Sequence, residues 1–330
     1  MSSLKDIAAI TGTSVRTVSR ALNDNGYVKA ALKIEILKVA KDLDYRINLM
    51  AQSLRTKKSF LIELVCPIGA DYARNMPKVE AFEEKMREEG YRVSLFLLRD
   101  IENSLSKDMD VILCQNPSGI ALFHFSKIDL MVKKLNDCNL PYITLGHTEK
   151  KIDKVGMDRK KGIQSALKHF QDKGRKRIAY LGNEKPKHYY GKVRLNAYLS
   201  YMKKAKLKPL ILNIPTTKDN FNIARTIGKK VSLKTLPDGV LAYSDSAALG
   251  FMQGLQSRGV KFPEDISIIG FNASQAGEVS NPPLSTIAHP NEAIGTISAE
   301  ILLAKIKGQK EPKAGWSREL PPVLLLREST

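Results

Sequence analysis

The sequence predicts an α/β protein in two parts: an N-terminal all-α helix-turn-helix head, then a core of two doubly wound parallel-sheet lobes. Three observations carry that expectation. Apolar residues near the N-terminus recur at helical spacing around a glycine-containing turn. After Ser59 the texture changes to apolar runs of strand length that alternate with amphipathic helices, the pattern of a parallel sheet covered on both faces. At 330 residues, with 43% hydrophobic content, the chain exceeds what one ordinary core holds, and about ten strand-length runs are too many for one compact lobe.

The elements follow in order. Leu4, Ile7, Ala8 and Ile10 form one face of a short helix. "TGTS" turns the chain, with Gly12 free to take a positive φ. Ser14 caps a second helix that runs to about Leu22, on which Val18, Ala21 and Leu22 face the small core. A third helix, Ala31 to Leu43, is expected to bring Ile34, Ile36, Leu37 and Ala40 to the same core. "RTKKS", Arg55–Ser59, reads as a linker. The strand runs are then "FLIELVCP", "YRVSLFLL", "GIALFHF", "LPYITLG", "RIAYLG", "LILNI", "GVLAYSD", "DISIIGF" and "PVLLL". Helices are expected over Pro77–Glu89, Glu102–Gln115, Gly162–Lys173, Val193–Ala205, Phe221–Ser232, Ala247–Arg258 and Asn291–Lys307. In such folds a ligand lies beyond the carboxyl ends of the strands.

Composition narrows the function. The formal charge is +19 and the pI about 9.7, which suits a polyanionic partner. Residues 1–58 carry +6 of that charge and the much longer remainder +13, so the head is about twice as basic per residue. Cys66, Cys114 and Cys138 are far apart and form no CxxC pair, which fits a reducing cytosol and neither a disulfide framework nor a zinc site. No apolar run approaches the roughly 20 residues of a membrane helix, and no secretory signal pattern opens the chain, so a cytoplasmic location is expected. GxGxxG, GK[ST], GxSxG and HExxH patterns are missing. His124, His147, His169, His188 and His289 are scattered without metal-ligand spacing, so no enzyme, cofactor or metal site is indicated.

The basic charge of the second helix has a specific use. With its apolar residues turned inward, Arg16 and Arg20 point outward. A helix entering the major groove must donate or accept hydrogen bonds at base edges, and arginine can grip guanine O6 and N7 with two bonds. Thr17, Ser19 and Asn23 suit phosphates or base edges.

"LKDIAAITGTSVRTVSRALNDNGYV", followed by "LDYRINLMAQSLRTKKSFLIELV", resembles the DNA-binding head and hinge of the lactose-repressor/galactose-repressor (LacI/GalR) family. "RIAYLG", "VRLNAY", "LAYSDSAALGFMQGLQSRGVKFPEDISIIGFN", "PPLSTI" and "LLLREST" extend the likeness, in the family's order, over the whole chain. The resemblance implies a homodimeric repressor that binds double-stranded, pseudo-palindromic operator DNA. Its core would resemble periplasmic sugar-binding proteins and sense a small-molecule effector, a sugar or sugar derivative. It also implies a helix-turn-helix domain at 1–46, a hinge helix and linker at 47–58, and a core at 59–330. The N-lobe would span about 59–157 plus 288–318, and the C-lobe about 158–287 plus 319–330.

Carried over by position, Val15, Arg16, Ser19 and Arg20 would read bases, and Thr17, Asn23 and Lys29 would meet phosphate. Asn48, Ala51 and Leu54 would lie in the minor groove, where Leu54 would wedge between base steps. Asp71, Tyr72, Phe123, Asp158, Arg194, Asp245 and Asn272 would meet the effector, although Asp158 and Asp245 at strand ends read equally well as helix caps. The chain departs from the family's pattern at several places. Ile47 stands where proline often precedes the hinge asparagine, Lys29 and Leu32 replace a Ser/Thr pair opening the third helix, and Asn272 replaces a commoner aspartate. With Lys185, Lys187, His188 and Lys192 near Arg194, the last departure raises the expectation of an anionic effector. Two rival readings stay open: a global regulator with a phosphorylated protein as corepressor, and a solute-binding module without gene control.

Overall fold

The computed structural model describes residues 3–22, 26–45, 59–68, 72–101, 103–123, 128–146, 151–215 and 219–330, with backbone only for 72–74. The chain divides into two units, Met1–Phe60 and Leu61–Thr330.

In the first unit, α1 (Leu4–Ile10), α2 (Val15–Leu22) and α3 (Ala30–Asp42) enclose a core of Ile7, Ala8, Val18, Ala21, Ile36 and Ala40. A capping box opens α1. The Asp6 N–H donates to the Ser3 hydroxyl at 3.3 Å, and the Ser3 N–H donates to the Asp6 carboxylate at 2.7 Å. The Ser3 N–H and the Ser3 hydroxyl, both donating to the Asp6 carboxylate, hold that carboxyl below its ordinary value. Gly12 takes φ +60° in the turn, and the Ser14 hydroxyl accepts the Thr17 N–H at 3.1 Å, capping α2. One expectation fails on α3: Ile34 and Leu37 are 68% and 45% exposed. At about 100° per residue they lie away from the stripe of Leu32, Ile36, Val39, Ala40 and Leu43, which faces α1 and α2.

The second unit contains two six-stranded sheets. The first has the order β2-β1-β3-β4-β5-β11, from β1 (Leu61–Pro67), β2 (Arg92–Leu98), β3 (Gly119–Phe123), β4 (Tyr142–Leu145), β5 (Lys154–Met157) and β11 (Arg318–Leu320). The second has the matching order β7-β6-β8-β9-β10-β12, from β6 (Ile178–Gly182), β7 (Leu210–Asn213), β8 (Gly239–Ala242), β9 (Ser267–Phe271), β10 (Ser285–Ala288) and β12 (Val323–Leu325). All pairings are parallel except β10 with β12.

Helices cover both faces of each sheet. On the first sheet, α4 (Tyr72–Glu88) and α12 (Asn291–Ile306) cover one face, and α5 (Leu105–Cys114) and α6 (Ile128–Asp137) the other. On the second, α7 (Arg159–Asp172) and α8 (Tyr189–Lys204) lie opposite α9 (Asn220–Lys230) and α10 (Asp245–Gln256). A single turn, α11 (Gln275–Glu278), follows β9.

The chain passes between the sheets three times, and those passages orient them. After β5 ends at Met157, α7 packs on the second sheet. After β10 ends at Ala288, α12 packs on the first. After β11 ends at Leu320, the chain enters β12 of the second sheet. Because β5 and β10 are parallel members of their sheets, the carboxyl ends of both sheets meet at the junction between them.

Candidate DNA-reading face and effector cleft

On α2 the residues divide cleanly by face. Val18 and Ala21 are buried, whereas Val15, Arg16 and Arg20 are exposed, with Thr17 and Ser19 half-buried between them. The Thr17 hydroxyl lies 2.9 Å from that of Ser14, so it shares in the cap. Lys29 occupies the N-cap of α3, makes no side-chain cap bond and is exposed. An ammonium cannot accept an N–H, so the missing cap leaves the charge outward. Two residues earlier, Tyr27 stands 86% exposed, an aromatic at this surface that the sequence reading did not single out. Asn23, Asn48, Ala51 and Leu54 lie outside the described residues, as do Asp71 and the side chain of Tyr72.

At the junction of the two sheets, the Arg194 guanidinium carbon on α8 lies over the Phe271 ring, 3.9 Å from its centroid, and the side chain donates to the Tyr243 carbonyl. Phe271 ends β9 and Tyr243 follows β8, so both stand at carboxyl ends of the second sheet. Asn272 comes next, with φ 111° and a buried side-chain oxygen that accepts no hydrogen bond among the described residues. Its backbone N–H donates to the Ile287 carbonyl at 2.9 Å, which holds the residue in that unfavourable conformation. Burial pushes the hydroxyl of Tyr180, beside Arg194, up to about 12, so this phenol stays neutral. On the first sheet, Phe123 ends β3 and is buried.

The two aspartates have different uses. Asp158 is the N-cap of α7 and accepts the Lys161 N–H at 3.0 Å. Asp245 is not a cap, because Ser244 takes that place on α10. Only 2% exposed, Asp245 accepts from the Thr286 hydroxyl at 2.6 Å and from the Ser274 N–H. Its carboxylate thus ties α10 to β10 and to the loop after β9, with one oxygen on each bond. Gly270 permits this approach, since a Cβ there would lie 2.2 Å from Asp245 Oδ1.

Three cleft residues escaped the sequence reading. Lys78 is buried on α4 over the Phe123 ring, and Arg159, the first residue of α7, lies over the Tyr190 ring at 4.2 Å. Tyr190 belongs to the first turn of α8. Only the neighbour of Asp158 carried a positional hint, because a lysine within a charged helix reads as a solvated one. Among the described residues no group of three or more His, Cys, Asp or Glu is placed to hold a metal ion. Among them, too, no helix is long and apolar enough to cross a membrane.

Comparison with known proteins fits this arrangement. Residues 3–48 match the sequence model of bacterial regulatory proteins of the lacI family, and residues 167–330 match that of the periplasmic binding protein-like domain. The chain belongs to the LacI family. It is 28% identical to the ribose operon repressor of Bacillus subtilis, covering 100% of this chain and 99% of that one. To the transcriptional repressor PurR of Pasteurella multocida it is 27% identical, covering 100% and 98%. In fold it is similar to a lac repressor dimer bound to operator and the anti-inducer ONPF. That likeness has a TM-score of 0.82 at 22% identity and covers 99% of this chain and 98% of the other. As a LacI-family member it is a DNA-binding transcriptional repressor, not an enzyme.

Proposed function

We propose that this repressor acts as a cytoplasmic homodimer in which each head reads one half of a pseudo-palindromic operator. Val15, Arg16, Ser19 and Arg20 meet base edges, and Thr17, Asn23 and Lys29 meet phosphate. From the hinge, Asn48, Ala51 and Leu54 enter the minor groove. The observation that carries this reading is α2 itself, whose Val18 and Ala21 are buried while Arg16 and Arg20 face out. The lac repressor neighbour, solved as a dimer on operator, supports the two-fold arrangement.

The effector site lies between an N-lobe of about 59–157 plus 288–318 and a C-lobe of about 158–287 plus 319–330. The three chain passages and the meeting of strand carboxyl ends support that placement. Arg194 and Asn272 offer a donor fork and an acceptor to hydroxyls, and Phe123, Asp71 and Tyr72 complete the set that the resemblance implies. Asp158 and Asp245 position this set, the first through its cap and the second through its inward bonds. Control is linkage: an effector shifts operator affinity only by its differential affinity for two lobe arrangements.

Selection of bound sequences from random DNA by the full chain, at a stated salt concentration, tests the head. A pseudo-palindrome is expected. Arg16→Ala should then cost about 1–3 kcal/mol and relax one operator position, whereas Lys29→Ala should weaken operator and random DNA alike. Equal losses on both DNAs for both variants would contradict the assignment.

A further inference from the structure

The surplus charge of the core is concentrated in one stretch. Residues 159–208, all of them described, carry sixteen lysines and arginines against two acids, Asp172 and Glu184. Their net +14 leaves the rest of the 59–330 core at −1. This stretch builds α7, β6 and α8, and a groove of about 750 Å³ runs along the two helices. Lys160, Lys161 and Lys168 line it from α7 and Lys204 from α8, all four exposed. Lys160 and Lys204 form no ion pair among the described residues. Lys161 lies 4.0 Å from Asp158 and Lys168 2.8 Å from Asp172, but with these lysine side chains 70% and 69% exposed, water and salt leave both pairs weak and exchangeable.

Exposed, hydrated lysines hold a small anion poorly, and at a rise of 1.5 Å per residue Lys160 and Lys168 stand about 12 Å apart along α7, too far for one phosphate to meet both. A polyanion gains differently, because each of its charges that is neutralised releases condensed counterions and the gains accumulate. Duplex DNA carries one charge per about 1.7 Å of axis, whereas an extended acidic peptide carries at most one per about 3.3 Å. The groove's single aromatic, Tyr201, donates its hydroxyl to Gln171 Oε1 at 2.6 Å, and one ring is no platform for the stacked bases of a single strand.

We propose that this groove is a second DNA surface of the repressor, which holds duplex DNA by its phosphates, without regard to sequence, while the heads hold the operator. Lysine meets phosphate as a point charge and reads no base. Anchoring by the heads keeps neighbouring duplex at a high local concentration, the condition that weak contacts need.

Fluorescence anisotropy tests the proposal. The full chain is saturated with unlabelled operator selected from random DNA, and a labelled duplex of unrelated sequence is then titrated in at about 50–200 mM salt. The saturated protein should still bind it, with an affinity that falls steeply as salt rises. Lys160→Gln, Lys161→Gln, Lys168→Gln and Lys204→Gln combined should weaken that binding about tenfold or more at low salt and reduce the salt slope by about 0.9 for each lysine that meets phosphate. Unchanged operator affinity and thermal unfolding would show that the variant folds. A readout that needs no operator is the number of short duplexes held per protein at saturation, which should be higher for the wild type than for the variant. Failure of the operator-saturated protein to bind the labelled duplex, full binding by the four-lysine variant, or equal saturation counts would overturn the proposal. So would tighter binding of labelled polyglutamate or single-stranded DNA at equal charge, which would assign the groove to an acidic protein or to a single strand.

Discussion

Glu63 lies in the middle of β1, fully buried, beside Ser94 in the ladder with β2. Neither of its carboxyl oxygens has a hydrogen-bond partner within bonding geometry among the described residues, and burial pushes the group above its ordinary value of 4.5, with Ser94 acting in the opposite direction. The unfolded chain therefore releases this proton at a lower pH than the folded chain does. Stability attributable to Glu63 falls as pH rises from the ordinary glutamate range to the raised value, then levels off. Glu63→Leu should remove that slope and stabilise the core at neutral pH by about 1–3 kcal/mol, read from urea unfolding between pH 4 and pH 9. A variant with an unchanged slope would place the titrating group elsewhere. Gly270 gives the opposite sign. Gly270→Ala sets a methyl 2.2 Å from Asp245 Oδ1 and should cost about 1–3 kcal/mol, with the same denaturation as its check.

At the scale of elements, α3 shows how a helix's apolar residues are sorted by angle rather than by hydrophobicity. Ile34 and Ile36 are chemically identical, yet one is 68% exposed and the other fully buried. Ile36→Ala should cost about 2–5 kcal/mol of head stability, and Ile34→Ala should stay within about 0.5 kcal/mol, both by thermal unfolding. Comparable losses at both positions would mean that Ile34 is covered in the working protein. The same sorting presents Arg16 and Arg20, because Val18 and Ala21 claim the inner face of α2 and the Ser14 cap holds its first turn.

For the whole molecule, the two sheets repeat one strand order, and three short passages tie them into a single unit, with the proposed ligand site where the carboxyl ends of their strands meet. A molecule bound there stabilises the residues 61–330 unit directly. At a free concentration of one hundred times Kd, the gain is about 2.7 kcal/mol. Calorimetric unfolding should show that shift in the core transition, and linkage requires operator DNA to change effector affinity by the same factor by which the effector changes operator affinity. Unequal factors would mean that a further equilibrium, such as dimer dissociation, joins the two sites.

Much of this was legible in the sequence. Periodicity alone marked the head helices, the turn at Gly12, the Ser14 cap and nine of the strands, because each is set by neighbours a few residues away. β5, β10, β11 and the helix Ile128–Asp137 were not legible. The three strands are three or four residues long and lie in stretches without an extended apolar run, so they are held by the strands beside them in the sheet rather than marked by their own residues. Resemblance brought Arg194 and Asn272 to the cleft. Only the folded chain turned Asp245 inward, made Asp158 a cap and buried Lys78 over Phe123. Local structure answers to spacing along the chain, whereas burial and the partner of a charge depend on residues far apart in sequence, and those the tertiary structure alone decided.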